Sequence, residues 1–408
     1  MQRLEHHPEA SGELDHPATS GHRPASVHRL KKRRAVHRLR RTRLAMAVLG
    51  VLLLASAGVV RFVVLPAVAK MPANSNTTNV YAGTARVLLN EAALAPGSKA
   101  PLLLYNLPLR INETVRVLKA NGSAAVVDYR TTETAAGKSL PVMDDRYVVN
   151  RTTMAPSTSL SWPGLIATRG LTISFPIGTL QQNYTGWVQD TGRTTPLVFA
   201  GTASGVTLGT RSYAFGFQAD VFQQKTPAAP ITDRQELAAL PSGIPKSEIP
   251  QLVSRLHLPT SEISRFASAF AKFPSMVPLE YTYAATYTYW VAPRDGVVVD
   301  LQATETRSVE LPASLTGVTV PIATVSQFVY TDTPATLLAR THEAQKDSSA
   351  LTLVETTLPL SALILGIVLL AAAVLLRLGR PGGPGVRGRL VEHGAGRRAV
   401  ATPASKVA

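Results

Sequence analysis

Two uncharged apolar runs near the ends of this 408-residue chain constrain its fold more than any other feature. The first extends from Leu44 to Val60 and resumes after Arg61 as far as Ala69, and the second extends from Leu358 to Leu376. A helix needs about 20 largely apolar residues to cross the hydrocarbon core of a bilayer. The runs therefore predict two transmembrane helices, over residues 44–69 and 358–376, with Arg61 near the outer end of the first.

Basic residues flank both runs on their outer sides. Of the net charge of +16, residues 1–70 carry +9 and residues 358–408 carry +6, which leaves +1 for the chain between them. Lys and Arg concentrate on the cytoplasmic side of membrane helices. We therefore expect disordered cytoplasmic tails over 1–43 and 377–408, and an extracytoplasmic domain over 70–357 at the plasma membrane. Nucleic-acid binding is not expected, because no aromatic or fold signal accompanies the charge.

The first run has an alternative interpretation as a cleaved signal sequence, since Ala67–Ala69 fits a small-x-small cleavage site. The basic region and the apolar run both exceed the usual lengths of a signal sequence, which favours an uncleaved anchor. The chain has no cysteine. Disulfides and thiolate chemistry are thereby excluded, and together with export this favours a bacterial protein.

Period-two alternation recurs between the runs and predicts a large, mainly antiparallel, curved or barrel-like sheet. Turn signals such as Asn121-Gly122 and Pro293–Gly296 separate the alternating segments. The segments are TARVLLN, ETVRVLKA, AAVVDYR, RYVVNR, LTISFPI, PLVFAG, SYAFGFQADVF, LEYTYAATYTYWVA, GVVVDLQATETRSVEL and IATVSQFVYTD. The predicted fold class is a membrane-anchored α+β protein, in which two transmembrane helices flank a β ectodomain with a helical insertion.

The helical insertion is expected over about 232–275. Its second helix would begin at an N-cap, Thr260, and present one apolar face to the sheet. That face consists of Ile263, Phe266, Ala267 and Phe270. A lid over a pocket is the alternative to simple packing. A further helix is expected to begin at Thr333-Pro334 and to run into the second span.

A search for catalytic and metal-ligating patterns finds none with the required context. The exported part has two histidines, His257 and His342, far apart in sequence, and no H-x-x-x-H pair. A literal G-x-G-x-x-G at Gly383–Gly388 has no strand before it and no helix pattern after it. We therefore expect no enzyme activity, no catalytic residue, no cofactor and no bound metal.

Aromatic residues cluster on one predicted strand, although they make up only 6% of the chain. The cluster consists of Tyr281, Tyr283, Tyr287, Tyr289 and Trp290. The four tyrosines would share one strand face, where they would either line a groove for lipid or glycan or stiffen the sheet as a cross-strand ladder.

The stretch GLTISFPIGTLQQNYTGWVQD, residues 170–190, supplies the remaining candidates. Its first half predicts a core strand with alternate apolar residues from Leu171 to Ile177 inside, and Pro176 indicates either an edge strand or the end of regular pairing. Tyr184, Trp187 and Asp190 follow and are not explained by the strand pattern. We predict that they form a surface for a ligand or partner.

Several motifs together resemble a family of actinobacterial envelope proteins that is catalogued as a domain of unknown function and also labelled porin-A-like. They are RFVVLPAVAKMP, DRYVVNRTT, ISFPIGTLQQNYTGWVQD, YTYWVAPRDGVVVD and AQKDSSALTLVETTLPLSALILGIVLL. The resemblance covers residues 44–376. It implies a two-span membrane protein with an exported β-rich domain, and it implies no established activity.

These observations favour a non-enzymatic cell-envelope protein in the lipid bilayer. Its exported domain would bind a lipid, a glycolipid or an envelope protein partner. The alternative is a component of an oligomeric transport or porin-like system. An exported hydrolase would need an acid/base group that the sequence does not reveal.

Overall fold

The computed structural model describes residues 26–95, 98–251, 264, 267–268, 270–316 and 319–378. These residues form two compact units, which we call the helix unit (within Met1–Ser56 and Ser361–Ala408) and the β unit (Ala57–Leu360). The helices are α1 (Ser26–Val59), α2 (Leu65–Val68), α3 (Arg234–Ala238), α4 (Ala313–Thr316), α5 (Pro334–Thr352) and α6 (Leu358–Leu378), with π-helical turns at Val60–Val64 and Leu353–Thr357 and 3-10 turns at Glu91–Leu94 and Lys246–Glu248.

Two of the helical stretches, Arg38–Val68 and Pro334–Leu378, are long and apolar enough to cross a membrane. The predicted apolar helices at both ends of the chain are therefore present, while their insertion in a membrane stays a prediction. Helix α1 begins at Ser26, inside the stretch that we expected to be a disordered tail. Residues 1–25 and 379–408, the remainder of the predicted tails, lie outside the described residues.

Within the helix unit, the two apolar helices touch at a pair of glycines. A Cβ atom placed on Gly50 would lie 2.9 Å from the carbonyl oxygen of Gly366, and one on Gly366 would lie 2.9 Å from the carbonyl oxygen of Gly50. Leu370 packs against Gly50, and Leu54 packs against Gly366. Small residues allow such close approach of two backbones, so any side chain larger than hydrogen at this point must push the helices apart.

The thirteen strands of the described residues form one large sheet and a short two-stranded ribbon. They are β1 (Asn76–Leu89), β2 (Leu103–Asn121), β3 (Ala124–Ala135), β4 (Lys138–Ser139), β5 (Met143–Asn150), β6 (Tyr184–Val188), β7 (Arg193–Leu208), β8 (Arg211–Pro230), β9 (Gly243–Pro245), β10 (Met276–Pro278), β11 (Glu280–Val291), β12 (Val298–Leu311) and β13 (Val320–Asp332). The mainly antiparallel sheet that the alternation predicts is confirmed.

The large sheet runs in the order β4-β3-β2-β1-β13-β12-β11-β8-β7-β6, and β5 pairs with β3. Strands β4 and β5 both lie beside β3 at one edge, β6 lies at the other edge, and β5 comes close to the end of β6. Tyr147 of β5 donates from its hydroxyl to Gln189, just after β6, at 3.0 Å. The sheet therefore curves back on itself, as the sequence predicts.

The chain between β5 and β6 completes this closure. Ile166 donates its amide to Arg146 of β5, and Leu171 forms an isolated parallel bridge with Gly186 of β6. The predicted core strand over Leu171–Ile177 is wrong, because this segment forms only that one bridge. Pro176 has no amide hydrogen to donate to a ladder, and Phe175 donates instead to Gly296 in the β11–β12 turn.

The predicted hairpin turns are present at Gly122 (φ +57°) and Gly296 (φ +75°), where the backbone is left-handed and glycine is favoured. The predicted helix at Thr333-Pro334 is also confirmed, with the Thr333 side chain accepting the amide of Thr336. It packs against the sheet, where Leu337 is buried with Phe215.

The helical insertion is described only in part. It contains the short helix α3, the ribbon β9–β10 and a core contact of Ile249, Phe270 and Phe273 with the sheet. Thr260, Ile263 and Phe266 lie outside the described residues, as does His257. The packing of the second predicted helix on the sheet therefore stays a prediction.

Candidate functional site

A cavity of about 590 Å³ lies inside the β unit, within the curve of the sheet. Every strand of the large sheet except β4 contributes to its wall, together with residues 171–177 and helix α5. A strand presents alternate residues to each face, so the inward face of each strand supplies the wall. The sequence alternation thus produces an interior space as well as a core.

The wall changes in character from one end of the cavity to the other. Strand β12 contributes Val298, Leu301, Glu305 and Arg307 in chain order. At about 3.3 Å per residue, Val298 and Arg307 are about 30 Å apart along the strand. We call these the Val298 end and the Arg307 end.

The Val298 end adjoins the chain segments that lead into the apolar helices. Its wall includes Val68, Met71, Leu351 and Val354. These segments are tied to the β11–β12 turn, because Arg294 Nη2 lies 2.7 Å from Glu355 Oε2. Charged side chains also line the cavity at this end: Lys70, Asp295, Glu343 and Asp347.

At the opposite end lies a group that we call the Arg307 cluster: Arg307 with Asp190, Glu236 and Glu305. Arg307 Nη1 is 3.1 Å from Glu305 Oε2, Nη2 is 2.9 Å from Asp190 Oδ1, and Nε donates to Glu236. All four side chains are at most 12% exposed. The guanidinium also lies over the ring of Tyr283, 5.1 Å from its centroid.

Carboxyl groups outnumber the guanidinium at this end. Glu133 of β3 is a fourth acid near Arg307, and burial raises its pKa to about 7, although Arg307 acts in the opposite direction. Burial also raises the pKa of Asp190 well above its usual value, opposed again by Arg307. One buried cation thus faces four carboxyl groups. The raised pKa values of Glu133 and Asp190 mean that some of these carboxyl groups remain protonated near neutral pH.

Tyrosine hydroxyls connect the cluster to the wall. Tyr287 donates to Glu305 Oε1 at 2.7 Å, and Tyr330 donates to the same oxygen at 2.5 Å. The hydroxyls of Tyr283 and Tyr287 are 2.5 Å apart. Burial is the largest cause that raises the pKa of Tyr287 and Tyr330, so these phenols stay protonated and serve as hydrogen-bonding groups.

The predicted surface of Tyr184, Trp187 and Asp190 does not form a single exposed patch. Asp190 is buried in the Arg307 cluster, and Trp187 lies on the cavity wall and donates to Gln189. Tyr184 packs edge-on against Phe175 and accepts the amide of Leu180 at its hydroxyl. Their binding role stays a prediction, but two of the three face the interior.

The predicted tyrosine face on β11 is confirmed in geometry. Tyr287 and Tyr289 line the cavity and stack with centroids 5.8 Å apart, and Tyr283 lies behind them against Arg307. Tyr281 is in the core and donates to the carbonyl oxygen of Pro241. Trp290 lies on the other face of the strand, near the residues under α5.

Sequence reasoning missed Arg307, Glu305 and Glu133. On β12, Glu305 and Arg307 share the parity of Val299, Leu301, Ala303, Val309 and Leu311. A charged pair on the apolar face of a strand indicates a buried ion pair, and this signal was present in the sequence. Among the described residues, no group of three His, Cys, Asp or Glu is arranged to hold a metal ion.

A second ion network lies at the Val298 end, and we call it the Glu355 network. Glu355 lies 2.7 Å from Arg294 and 3.6 Å from Arg61. Arg61 and Glu355 each belong to a π-helical turn, Val60–Val64 and Leu353–Thr357. Arg61, which was expected near the outer end of the first span, therefore has an acidic partner.

Comparison with protein families gives one match that spans most of the chain. A family described as porin PorA matches residues 44–375. No curated protein sequence matches this chain. The matched range begins at the first predicted span and includes all the wall residues of the cavity.

Proposed function

This chain belongs to the porin PorA family, and we propose that it is a porin-like envelope protein that passes polar solutes as an oligomer. The observation that carries the proposal is the cavity inside the β unit, whose wall contains acids, arginines and tyrosine hydroxyls. A water-filled path needs such a polar wall. Family membership and the two long apolar helices agree on a membrane or envelope location.

An oligomer is part of the proposal because two helices are too few to enclose a channel. Backbone polar groups must be satisfied inside a bilayer, so a spanning path needs either a helix bundle or a closed barrel. Several copies would together supply enough helices. The β units would then provide the solute entrance.

The sequence supports a definite topology for this proposal. Both tails would be cytoplasmic and the β unit extracytoplasmic at the plasma membrane, because the positive charge lies outside the two apolar runs. We further propose that the protein is not an enzyme and binds no nucleic acid. Its partners would be the bilayer and an envelope protein or lipid.

Solute passage is tested with the purified full chain in liposomes loaded with small polar solutes. Release above that of empty liposomes is expected, and release equal to theirs would refute the proposal. Trp187→Ala removes a ring from the cavity wall and should change the release rate. Trp162→Ala removes a part-buried ring beside Leu160 and Leu165, away from the wall, and should leave the rate unchanged.

A second candidate function is binding of a lipid, a glycolipid or an envelope protein partner. Tyr287 and Tyr289 on the cavity wall favour a small ligand over a protein, because an interior wall is reached only by a molecule that enters the sheet. Native mass spectrometry of the full chain purified in mild detergent tests this candidate. A bound small molecule is expected in addition to detergent.

A further inference from the structure

Resting on the second candidate function, we infer that the cavity holds one membrane amphiphile in a defined orientation. Its apolar chain lies at the Val298 end, and its head group, which donates hydrogen bonds through hydroxyl or ammonium groups, lies at the Arg307 end. An anionic head group such as a phosphate is excluded.

The apolar end is built from chain that directly adjoins the two apolar helices. Val68 closes α2, and Leu351 and Val354 flank the junction of α5 with its π-helical turn. Phe175 and Ile177 continue this wall from the β5–β6 segment. An alkyl chain gains roughly 0.8 kcal/mol for each CH₂ that it buries, so this end favours the tail of an amphiphile.

The Arg307 end has more carboxyl groups than cations. Three of the five N–H groups of Arg307 are directed at its carboxyl partners. Glu305 already accepts from two tyrosines and Arg307. Glu236 Oε2 is buried and has no hydrogen-bond partner within the described part of the chain, but Glu236 is not a wall residue, so the carboxyl groups that face the cavity are those of Glu133, Asp190 and Glu305. A buried acceptor gains from any donor that reaches it, and added negative charge beside four acids is repelled.

A second unfilled acceptor lies on the wall itself. Asp295 is 9% exposed, and its Oδ2 atom is buried without a partner among the residues that the structure describes. Burial raises the pKa of Asp295 to about 7, so near neutral pH the carboxyl is charged in only part of the population. A partly neutral carboxyl is compatible with a neighbouring alkyl chain and still accepts a hydrogen bond from a linker hydroxyl.

The head-group preference is tested on the full chain held in amphipol, which provides no competing micelle. Three probes share a dodecyl chain and differ only in the head: dodecyl glucoside, dodecylamine and dodecyl phosphate. Binding is followed through the fluorescence of Trp187, with Trp187→Phe as the signal control. We expect the glucoside or the amine to bind at least tenfold more tightly than the phosphate, and the tighter of the two identifies the donor as hydroxyl or ammonium.

The orientation is tested with two bulky substitutions on the same helix. Leu351→Trp fills the Val298 end and should weaken the preferred probe at least tenfold. Leu338→Trp is the matched control, because Leu338 is 54% exposed and lies outside the wall. Circular dichroism and thermal unfolding confirm that both variants fold.

Three outcomes overturn the inference: no probe binds, the phosphate binds as tightly as the others, or Leu351→Trp binds like the parent. Solute release from liposomes is a separate readout. Release without probe binding would remove the amphiphile site and leave the porin proposal in place. Probe binding without solute release would refute the porin proposal and leave the amphiphile site in place.

Discussion

The two ion networks of the β unit are opposites in composition and in burial. The Arg307 cluster sets one cation among three direct acid partners, with all side chains at most 12% exposed. The Glu355 network sets one acid between two cations, with side chains 37–48% exposed. In each network, an oppositely charged side chain is shared among several partners.

Burial rather than the number of ion pairs decides what each network contributes. Exposed pairs are worth about 0–1 kcal/mol, because water screens them. Loss of one partner from a buried pair costs about 3–5 kcal/mol, because an uncompensated charge is left without water. The Arg307 cluster should therefore fix the interior of the sheet, and the Glu355 network should contribute little to stability.

Arg307→Met should have the largest effect, a loss of about 3–5 kcal/mol in the free energy of unfolding. It removes the cation and leaves Asp190, Glu236 and Glu305 close together without compensation. Urea unfolding of the full chain in detergent measures the change. Arg116→Met is the matched control, since Arg116 pairs with Asp128 but is 55% exposed, and a similar loss in both variants would contradict the comparison.

Glu133→Gln should stabilise the protein at pH above 7 by about 3 kcal/mol. The folded-state pKa of Glu133 is raised from 4.5 to about 7. The folded state therefore holds this proton to higher pH than the unfolded state, and the parent loses stability as the pH rises through that window. Glutamine does not titrate, so the variant does not lose stability in this pH window. The difference in unfolding free energy between the variant and the parent should therefore vanish below pH 4.5.

Unfolding curves of parent and Glu133→Gln across pH 4 to 9 measure this difference, and the exposed Glu91→Gln is the control. A gain that is independent of pH would show that the carboxyl of Glu133 carries no burial penalty.

Tyr330→Phe should cost about 1.5 kcal/mol, because it removes a 2.5 Å hydrogen bond to the Glu305 carboxylate while keeping the ring. The Arg307 cluster should keep its other contacts. Thermal unfolding of the full chain gives the change. Tyr105→Phe removes a hydroxyl from a side chain that is 60% exposed and should be neutral.

Glu355→Gln should have the smallest effect, below about 1 kcal/mol at physiological salt. The two arginines are half exposed and keep their hydration when the acid is neutralised. The change should shrink further at high salt because exposed charges are screened. A loss as large as that of Arg307→Met would show that this network is more strongly desolvated than its exposure indicates.

Local sequence patterns predicted most of the elements. For each apolar run, the length and hydropathy of that segment alone were enough to predict a helix, and both runs are helical. Most alternating segments, such as AAVVDYR in β3 and IATVSQFVYTD in β13, are strands because one face of each is buried in the sheet. The edge strand β6, which contains Tyr184 and Trp187, was not predicted because its alternation is short and polar.

The interior site depends on pairing across the sheet, which no single segment contains. Arg307 of β12 meets Asp190 after β6 and Glu236 in α3, and these residues are far apart in sequence. The segment over Leu171–Ile177 has the alternation of a strand, but only Leu171 bonds to a neighbouring strand, β6, while Phe175 and Ile177 donate to turns. Strand parity identifies which residues face inward, whereas the identity of their partners follows from topology.

The glycine contact between the two apolar helices has a consequence for the unfolded chain. Gly50 and Gly366 lie on either side of the β unit in sequence, so their contact joins the two ends of that unit. While the two helices stay paired, this contact limits how far the ends of an unfolded β unit can separate. In a protein with no cysteine, the helix pair thus does without a covalent bond what a disulfide does elsewhere.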